Sequence, residues 1–313
     1  MKNSSAVVEC VPNFSEGRDV RRVEAIVAAM RVEGVRLLDL SMDADHNRSV
    51  VTIAGPPKAV LESAVRGAGK AAELIDLTRQ DVARQEGLHP RIGAADVVPF
   101  VPITGIKLEQ CVMLARQAGL EIWQRFGVPV YFYEAAAARP DRANLDNIRS
   151  GQFEGLRDVV RKEVTRRPDL GGPGLHPTAG ACAVGARKFL VAYNLYFDST
   201  DVAIVRAIAR EIRAASGGLK GVKALGVLVH GRAQLLLNIS DFEKTPISQV
   251  YGTVSRLALR HKAAPVEGEV VGLIPEAACE RESEWMRQLT EFDPLNKILE
   301  NRLESPLVWP GDK

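Results

Sequence analysis

Apolar residues in this chain recur at two spacings, and the switching between them outlines the elements of the fold. Ala6 to Val11 is a short apolar run that reads as a strand, stopped by Pro12-Asn13-Phe14-Ser15-Glu16-Gly17. Val20, Val23, Ile26, Val27 and Met30 follow at helical spacing, and Gly34 closes that helix. Val35 to Leu40 and Ser49 to Ala54 read as two strands. The tight polar connection between them, Asp43-Ala44-Asp45-His46-Asn47-Arg48, suggests a hairpin. Gly55-Pro56-Pro57 ends the second of these, and Ala59 to Leu77 makes a helix through Val60, Ala64, Ala68, Ala71 and Ile75. Val97 to Ile103 is a buried strand with prolines near its ends, Lys107 to Phe126 an added helix, and Val128 to Tyr133 an added strand.

Without the additions this half reads strand, helix, strand, strand, helix, strand, and the second half repeats that order. Arg187 to Tyr196 is a strand, Ser199-Thr200-Asp201 caps a helix running to Ala215, and Val222 to Val229 pairs with Gln234 to Ile239 across His230-Gly231-Arg232. A helix with the core face Ile247, Val250, Val254 and Leu257 comes next, and Val270 to Ile274 is the last strand. Each half is thus a split βαβ unit of the ferredoxin-like kind. A repeat spacing of roughly 180 residues means a duplicated domain, since solenoid periods are about 20–50 residues. The fold expected is α+β: two tandem ferredoxin-like (βαββαβ) subdomains, residues 1–180 and 181–313. A sheet with helices on one face needs cover on the other, so the two sheets are expected to face each other, helices outside, with a polar cleft where the loops meet.

Composition narrows the function without choosing it. At 313 residues the chain exceeds one comfortable core, and 46% hydrophobic with 26% charged residues describes an ordinary globular protein. A net charge of +2 and 5% aromatics give no footprint for nucleic acid. No apolar run approaches the roughly 18–20 residues of a membrane span, and Met1-Lys2-Asn3-Ser4-Ser5 does not open a signal peptide, so the cytoplasm is expected. Cys10, Cys111, Cys182 and Cys279 are far apart and form no Cys-x-x-Cys pair, which argues against a zinc knuckle, a redox dithiol or disulfides.

Two loops carry the candidate chemistry. Glu86-Gly87-Leu88-His89-Pro90-Arg91-Ile92-Gly93-Ala94-Ala95-Asp96 gathers an imidazole, a guanidinium and two carboxylates on a turning loop fixed to a core strand. Histidine exchanges protons near neutrality, so His89 is a candidate acid–base group; a structural histidine tying down a turn is the competing reading. The second loop ends the linker-like region Ala138 to Gly180, which is poor in apolar periodicity. It is Gly171-Gly172-Pro173-Gly174-Leu175-His176-Pro177-Thr178-Ala179-Gly180. Such a stretch lets backbone N–H groups approach an anionic ligand, or serves as a hinge between domains. It is neither of the glycine-rich nucleotide loops.

Several stretches together resemble the formiminotransferase family. They are Val8-Glu9-Cys10-Val11-Pro12-Asn13-Phe14-Ser15-Glu16-Gly17, the Asn47-Arg48 turn, Glu86 to Asp96, Gly127-Val128-Pro129-Val130-Tyr131 and Gly185-Ala186-Arg187-Lys188-Phe189-Leu190. The resemblance runs across nearly the whole chain. It implies a folate-dependent transferase with two ferredoxin-like subdomains around a charged tunnel, commonly a homodimer, acting in histidine breakdown. The reaction implied moves the formimino group of N-formimino-L-glutamate to N5 of tetrahydrofolate, a co-substrate, with no metal. The family's catalytic histidine falls on His89, and its folate-binding segment on Gly171, Gly172, Pro173, Gly174, Leu175, His176, Pro177, Thr178, Ala179 and Gly180. His176 and Ala179 depart from the apolar residue and the aromatic of animal members. Those members also carry a cyclodeaminase module; this chain is expected to be the transferase alone.

The reaction needs N5 relieved of a proton and a departing nitrogen supplied with one, which a single imidazole can do in turn. A carboxylate would stabilise a cationic tetrahedral intermediate; Asp39 and Asp96 are the candidates, with a cap or a loop salt bridge as their alternative roles. Arg48 and Arg91 have the fork to bind substrate carboxylates, and Asn47 shares the turn of Arg48. His46, His230 and His261 read as a loop residue, a turn and a helix end. Formyl transfer from N-formylglutamate, handling of 5-formyltetrahydrofolate and a non-catalytic folate-binding module are the competing functions. A metal hydrolase using His46, His89 and nearby aspartates is more distant, because no His-x-x-x-His pair exists.

Overall fold

A computed structural model of the chain describes residues 6–79, 90–229 and 231–311. The backbone divides into two compact units, residues 1–187 with 306–313, and residues 188–305. Both are mixed α+β, each with one sheet and helices packed on it.

In the first unit, β1 (Val7–Cys10) and β2 (Asn13–Phe14) are two pieces of one strand, broken at Pro12, and both pieces lie between the same neighbours. Those neighbours are β4 (Arg48–Gly55) and β5 (Ala95–Thr104), and both pair antiparallel to them. β3 (Arg36–Asp43) flanks β4 in the expected hairpin. α1 (Val20–Ala29) begins on an Asp19 carboxylate that accepts the Arg21 and Arg22 N–H groups. α2 (Pro57–Leu74) starts with Pro at its first position, where the missing N–H costs nothing. α3 (Leu108–Phe126) stops at Gly127, which is left-handed at φ 65°. The helices bury one face of the sheet under Val8, Cys10, Val51, Ile53, Val98 and Phe100.

Two parallel strands extend this sheet beyond β5. β6 (Val130–Glu134) pairs with a strand absent from the sequence reading, which is inserted between β5 and β6 and belongs to the first unit. This is β7 (Cys182–Ala186), whose Cys-Ala-Val-Gly-Ala lacks the branched and aromatic residues that mark strands. Its Gly185 lies under the Tyr133 ring, where a Cβ would stand 2.5 Å from ring carbons. The stretch 138–180 is no bare linker either. It holds α4 (Leu145–Arg149) and α5 (Gln152–Val159), whose Ile148 and Leu156 cover Tyr131, Tyr133 and Ala183 on the second face of the sheet.

The second unit runs β8 (Val191–Phe197), α6 (Val202–Ile212), β9 (Val222–Val229), β10 (Arg232–Ile239), α7 (Ile247–Arg260) and β11 (Pro265–Val271). Its sheet has the order β11-β8-β10-β9, all antiparallel. The strand expected over 187–196 is displaced to Val191–Phe197. The last strand starts at Pro265 rather than Val270, since Glu267 and Glu269 interrupt the apolar run without breaking the pairing.

Candidate active site

The two loops singled out by sequence lie against each other. Ala94 N–H donates to the Ala179 carbonyl and Ala181 N–H to the Ile92 carbonyl, each at 2.9 Å, so the segment just after His89-Pro90-Arg91 pairs with the end of the glycine belt. Gly93 and Gly180 form the bridge itself. His89 lies outside the described residues; Pro90 and Arg91 lie within them.

The belt is folded on itself. His176 and Gly180 exchange both backbone hydrogen bonds, at 2.8 and 3.1 Å, and the His176 Nδ1 accepts the Ala179 N–H at 3.0 Å. Burial pushes the His176 imidazole below its usual range. Ala179 is buried in the helix-packed core, and the Thr178 carbonyl accepts the Leu77 N–H, which ties the belt to the chain beyond α2. Gly172, Pro173 and Pro177 remain exposed. The belt's entry is held by the Val130 and Leu170 pairing and by Asp169, which accepts from Arg142 and from the Phe132 N–H.

The block Phe14 to Gly17 meets the same bridge. Ser15 Oγ donates to the Gly93 carbonyl at 2.7 Å, and its N–H to the Ala94 carbonyl at 2.9 Å. Gly17 sits where a Cβ would fall 2.3 to 2.5 Å from the backbone of Asp43 and Arg48, and its N–H donates to the Asn47 Oδ1 at 2.9 Å. Asn47 is buried and left-handed at φ 45°, so its amide latches the β3–β4 turn to the loop after β2.

That latch sets Arg48 on the sheet face opposite the helices. Alternation along β4 turns Ser49, Val51 and Ile53 into the helix side and leaves Arg48, Val50, Thr52 and Ala54 on the other. Register then pairs Asp39 with Thr52, Asn13 with Val50, and Glu9 with Ala54, so all of them share this polar face. Arg48 donates from Nε to the Asn13 Oδ1 at 2.9 Å, and its Nη2 reaches the same oxygen. Burial first and the neighbouring Arg149 second lower its guanidinium to about 10, against the pull of Asp96 and Asp43. Asp39 is half-buried on β3.

Asp96 and Arg91 both have ion-pair partners within the first unit. The Asp96 carboxylate is buried, accepts the Ile92 N–H at 2.8 Å and is paired with Arg149. The Arg91 fork holds both Glu154 oxygens, at 3.0 and 3.3 Å, and its carbonyl accepts the Phe153 N–H. Sequence reading missed Arg149 and Glu154 because they lie in the supposed linker. It missed Glu9 by treating Ala6 to Val11 as uniformly apolar. The signal there was alternation: Val8 and Cys10 face the helices, so Glu9 must face the other way. Glu9 is only 2% exposed, and burial raises its carboxyl to about 7, against the opposing field of Arg187.

Fold and site together define a mixed α+β protein of two units, the first carrying a loop hydrogen-bonded to a glycine belt. Comparison with known families gives that class its name: residues 7–187 match the formiminotransferase domain, N-terminal subdomain, and residues 192–297 the formiminotransferase domain, so the chain belongs to the formiminotransferase family. It is 41% identical to the glutamate formimidoyltransferase of Streptococcus pyogenes serotype M1, over 95% of this chain and 98% of that one. It is 43% identical to the glutamate formimidoyltransferase of Thermoplasma acidophilum, over 96% and 98%. It is 40% identical to the formimidoyltransferase-cyclodeaminase of Gallus gallus, over 87% of this chain and 51% of that relative. No helix among the described residues is long and apolar enough to cross a membrane.

Proposed function

We propose that the chain is a transferase that moves the formimino group of N-formimino-L-glutamate to N5 of tetrahydrofolate and releases L-glutamate. The observation that carries this reading is the backbone pairing of Ile92–Ala94 with Ala179–Ala181, which tethers the His89 loop to the glycine belt. An acid–base group and a loop able to bind a pterin belong side by side if the acceptor nitrogen is to lose a proton there. The glutamate formimidoyltransferases that match over nearly full length support the same donor and acceptor.

In this reading His89 takes the proton of N5 as the N5–carbon bond forms. It returns a proton to the glutamate nitrogen as the carbon–nitrogen bond of the donor breaks. The belt, Gly171 to Gly180, offers Gly172–Gly174 to the pterin, while its buried end holds it in place. Arg48, held through Nε and Nη2 on the Asn13 Oδ1, attracts a carboxylate of the donor by its charge, and Asn47 positions it. Asp39, on the same sheet face, stabilises positive charge on the intermediate. Arg91 and Asp96, with partners in Glu154 and Arg149, position the loop. General acid–base help is worth about 10²–10⁴ in rate, whereas alignment of two bound reactants is worth about 7–11 kcal/mol, so positioning is the larger part.

The strand orders β3-β4-β1-β5 and β9-β10-β8-β11, antiparallel throughout and connected in chain order through two helices, α1 and α2 or α6 and α7, support a ferredoxin-like reading of both units, the first enlarged by β7 and β6. A homodimer, a cytoplasmic location and a place in histidine breakdown belong to the same proposal. The test is turnover of formiminoglutamate and of N-formylglutamate with tetrahydrofolate, in the wild type and in His89→Ala. Turnover of the formimino donor that His89→Ala slows without loss of folding is expected. Tetrahydrofolate binding without turnover of either donor would replace the transferase with a binding module.

A further inference from the structure

Four carboxylates among the described residues share the polar face, Glu9, Asp39, Asp43 and Asp96, and Asp43 is held by His46. Asp96 is occupied by Arg149 and the Ile92 N–H. Asp39 has a partner of its own and is half-buried. Glu9 is 2% exposed, lies mid-strand between Ala54 of β4 and Val101 of β5, and its carboxyl has no hydrogen-bond partner among the described residues. A buried carboxylate without such bonds is costly to ionise, and a sheet interior with an apolar residue in its place would be simpler to build.

We propose that Glu9 receives the amidinium end of the formimino group and thereby selects a formimino donor over a formyl donor. The inference rests on the transferase reading above and names the part of the site that distinguishes the two donors. At neutral pH the amidine of formiminoglutamate carries a proton and a positive charge. It presents two parallel N–H groups, the geometry that binds a carboxylate in pairs. The formyl analogue presents a carbonyl oxygen there, an acceptor facing an acceptor. Binding the cation ionises Glu9, so a proton leaves the site; on release of product the carboxyl takes one back. Among the described residues, the charged and titratable groups of this face are Asp39 and Asp43 from β3, Arg48 from β4, Asp96 from β5 with its partner Arg149, Tyr133 from β6, and Arg187 just after β7. Cys10 adjoins Glu9 in the chain. Of these, Arg187 opposes the protonation of Glu9, and burial outweighs it.

The experiment uses the full chain, Glu9→Gln and two readouts. Steady-state kinetics with formiminoglutamate and N-formylglutamate, from pH 5.5 to 8.5, should show the ratio of kcat/KM for the two donors falling about 10- to 100-fold in Glu9→Gln, the range expected for a lost charged hydrogen bond. The profile of kcat/KM for formiminoglutamate should rise less steeply through about pH 7 in Glu9→Gln than in the wild type, with the limb due to His89 retained. A purely structural Glu9 would lower both donors alike and leave the profile in place, and that result would overturn the proposal. Calorimetry of formiminoglutamate binding in two buffers of different ionisation enthalpy reads the same step without turnover. Proton release near pH 7 in the wild type and none in Glu9→Gln is expected. Binding without proton release in the wild type sinks the role of Glu9. Binding with proton release but no turnover sinks the transferase reading and leaves Glu9 as a cation site.

Discussion

Gly93 and Gly180 face each other across an antiparallel bridge that neither could make with a side chain: a Cβ on Gly93 would stand 2.0 Å from the Ala181 carbonyl oxygen, and one on Gly180 2.1 Å from that of Ile92. Gly180 is left-handed as well, at φ 71°. Backbone strain of about 1–2 kcal/mol and overpacking of about 1–3 kcal/mol both fall on Gly180→Ala. The variant should therefore lose roughly 2–5 kcal/mol in urea denaturation, and its KM for tetrahydrofolate should rise more than its KM for formiminoglutamate. An alanine tolerated at both positions with unchanged folate binding would show that this bridge does not hold the belt.

His89→Asn keeps the size and polarity of the side chain and removes the proton exchange. It should fold and bind tetrahydrofolate like the wild type, with kcat reduced about 10²–10⁴-fold. Tetrahydrofolate affinity and the thermal midpoint, read beside kcat, separate this from a histidine that only ties down a turn. In that case stability would fall and kcat per folded molecule would not.

The β3–β4 hairpin, the α1 and α3 spans and the repeated strand–helix order were legible because each rests on local periodicity and turn residues that nothing overrides. β7 was not, since Cys182–Ala186 earns its place by fitting small residues between two parallel strands under Tyr133, a tertiary reason with no local trace. The same holds for the candidate site. The two loops could be named from composition, yet the partners of Arg91 and Asp96, 63 and 53 residues away, left no local trace. Glu9 needed the register against Ala54 before its face could be known.

Arg48 separates charge from geometry. Arg48→Lys retains the positive charge and loses the fork that seats it on Asn13, so the charge is no longer fixed in place for a donor carboxylate. KM for formiminoglutamate should rise about 10-fold or more, with a smaller change for tetrahydrofolate. Equal effects on both substrates would mean that Arg48 acts through its bond to Asn13 and not on the donor.

The Asp96–Arg149 pair sits where both side chains are almost closed to solvent, at 4% and 6% exposure. Breaking such a pair by removing one partner costs about 3–5 kcal/mol, because a buried charge is left behind. Arg149→Met should show that loss in urea denaturation at pH 7. Asp96→Asn added to it should recover part of the loss by removing the stranded charge. A single variant within about 0.5 kcal/mol of wild type would show that the pair does not anchor the loop.

Glu9 makes the opposite stability prediction. Its carboxyl, ordinarily near 4.5, is raised to about 7 in the folded chain, so between those values the native state holds a proton that the unfolded chain has released. Stability from this group is therefore present below about pH 4.5 and is lost as pH rises through 7, by up to about 3 kcal/mol. Glu9→Gln does not ionise. It should be more stable than the wild type at pH 8, with the difference closing by about pH 5, as read from thermal midpoints across that range. A variant that gains stability at pH 8 and loses discrimination against the formyl donor would show a buried carboxyl kept at a cost to the fold because substrate binding needs it.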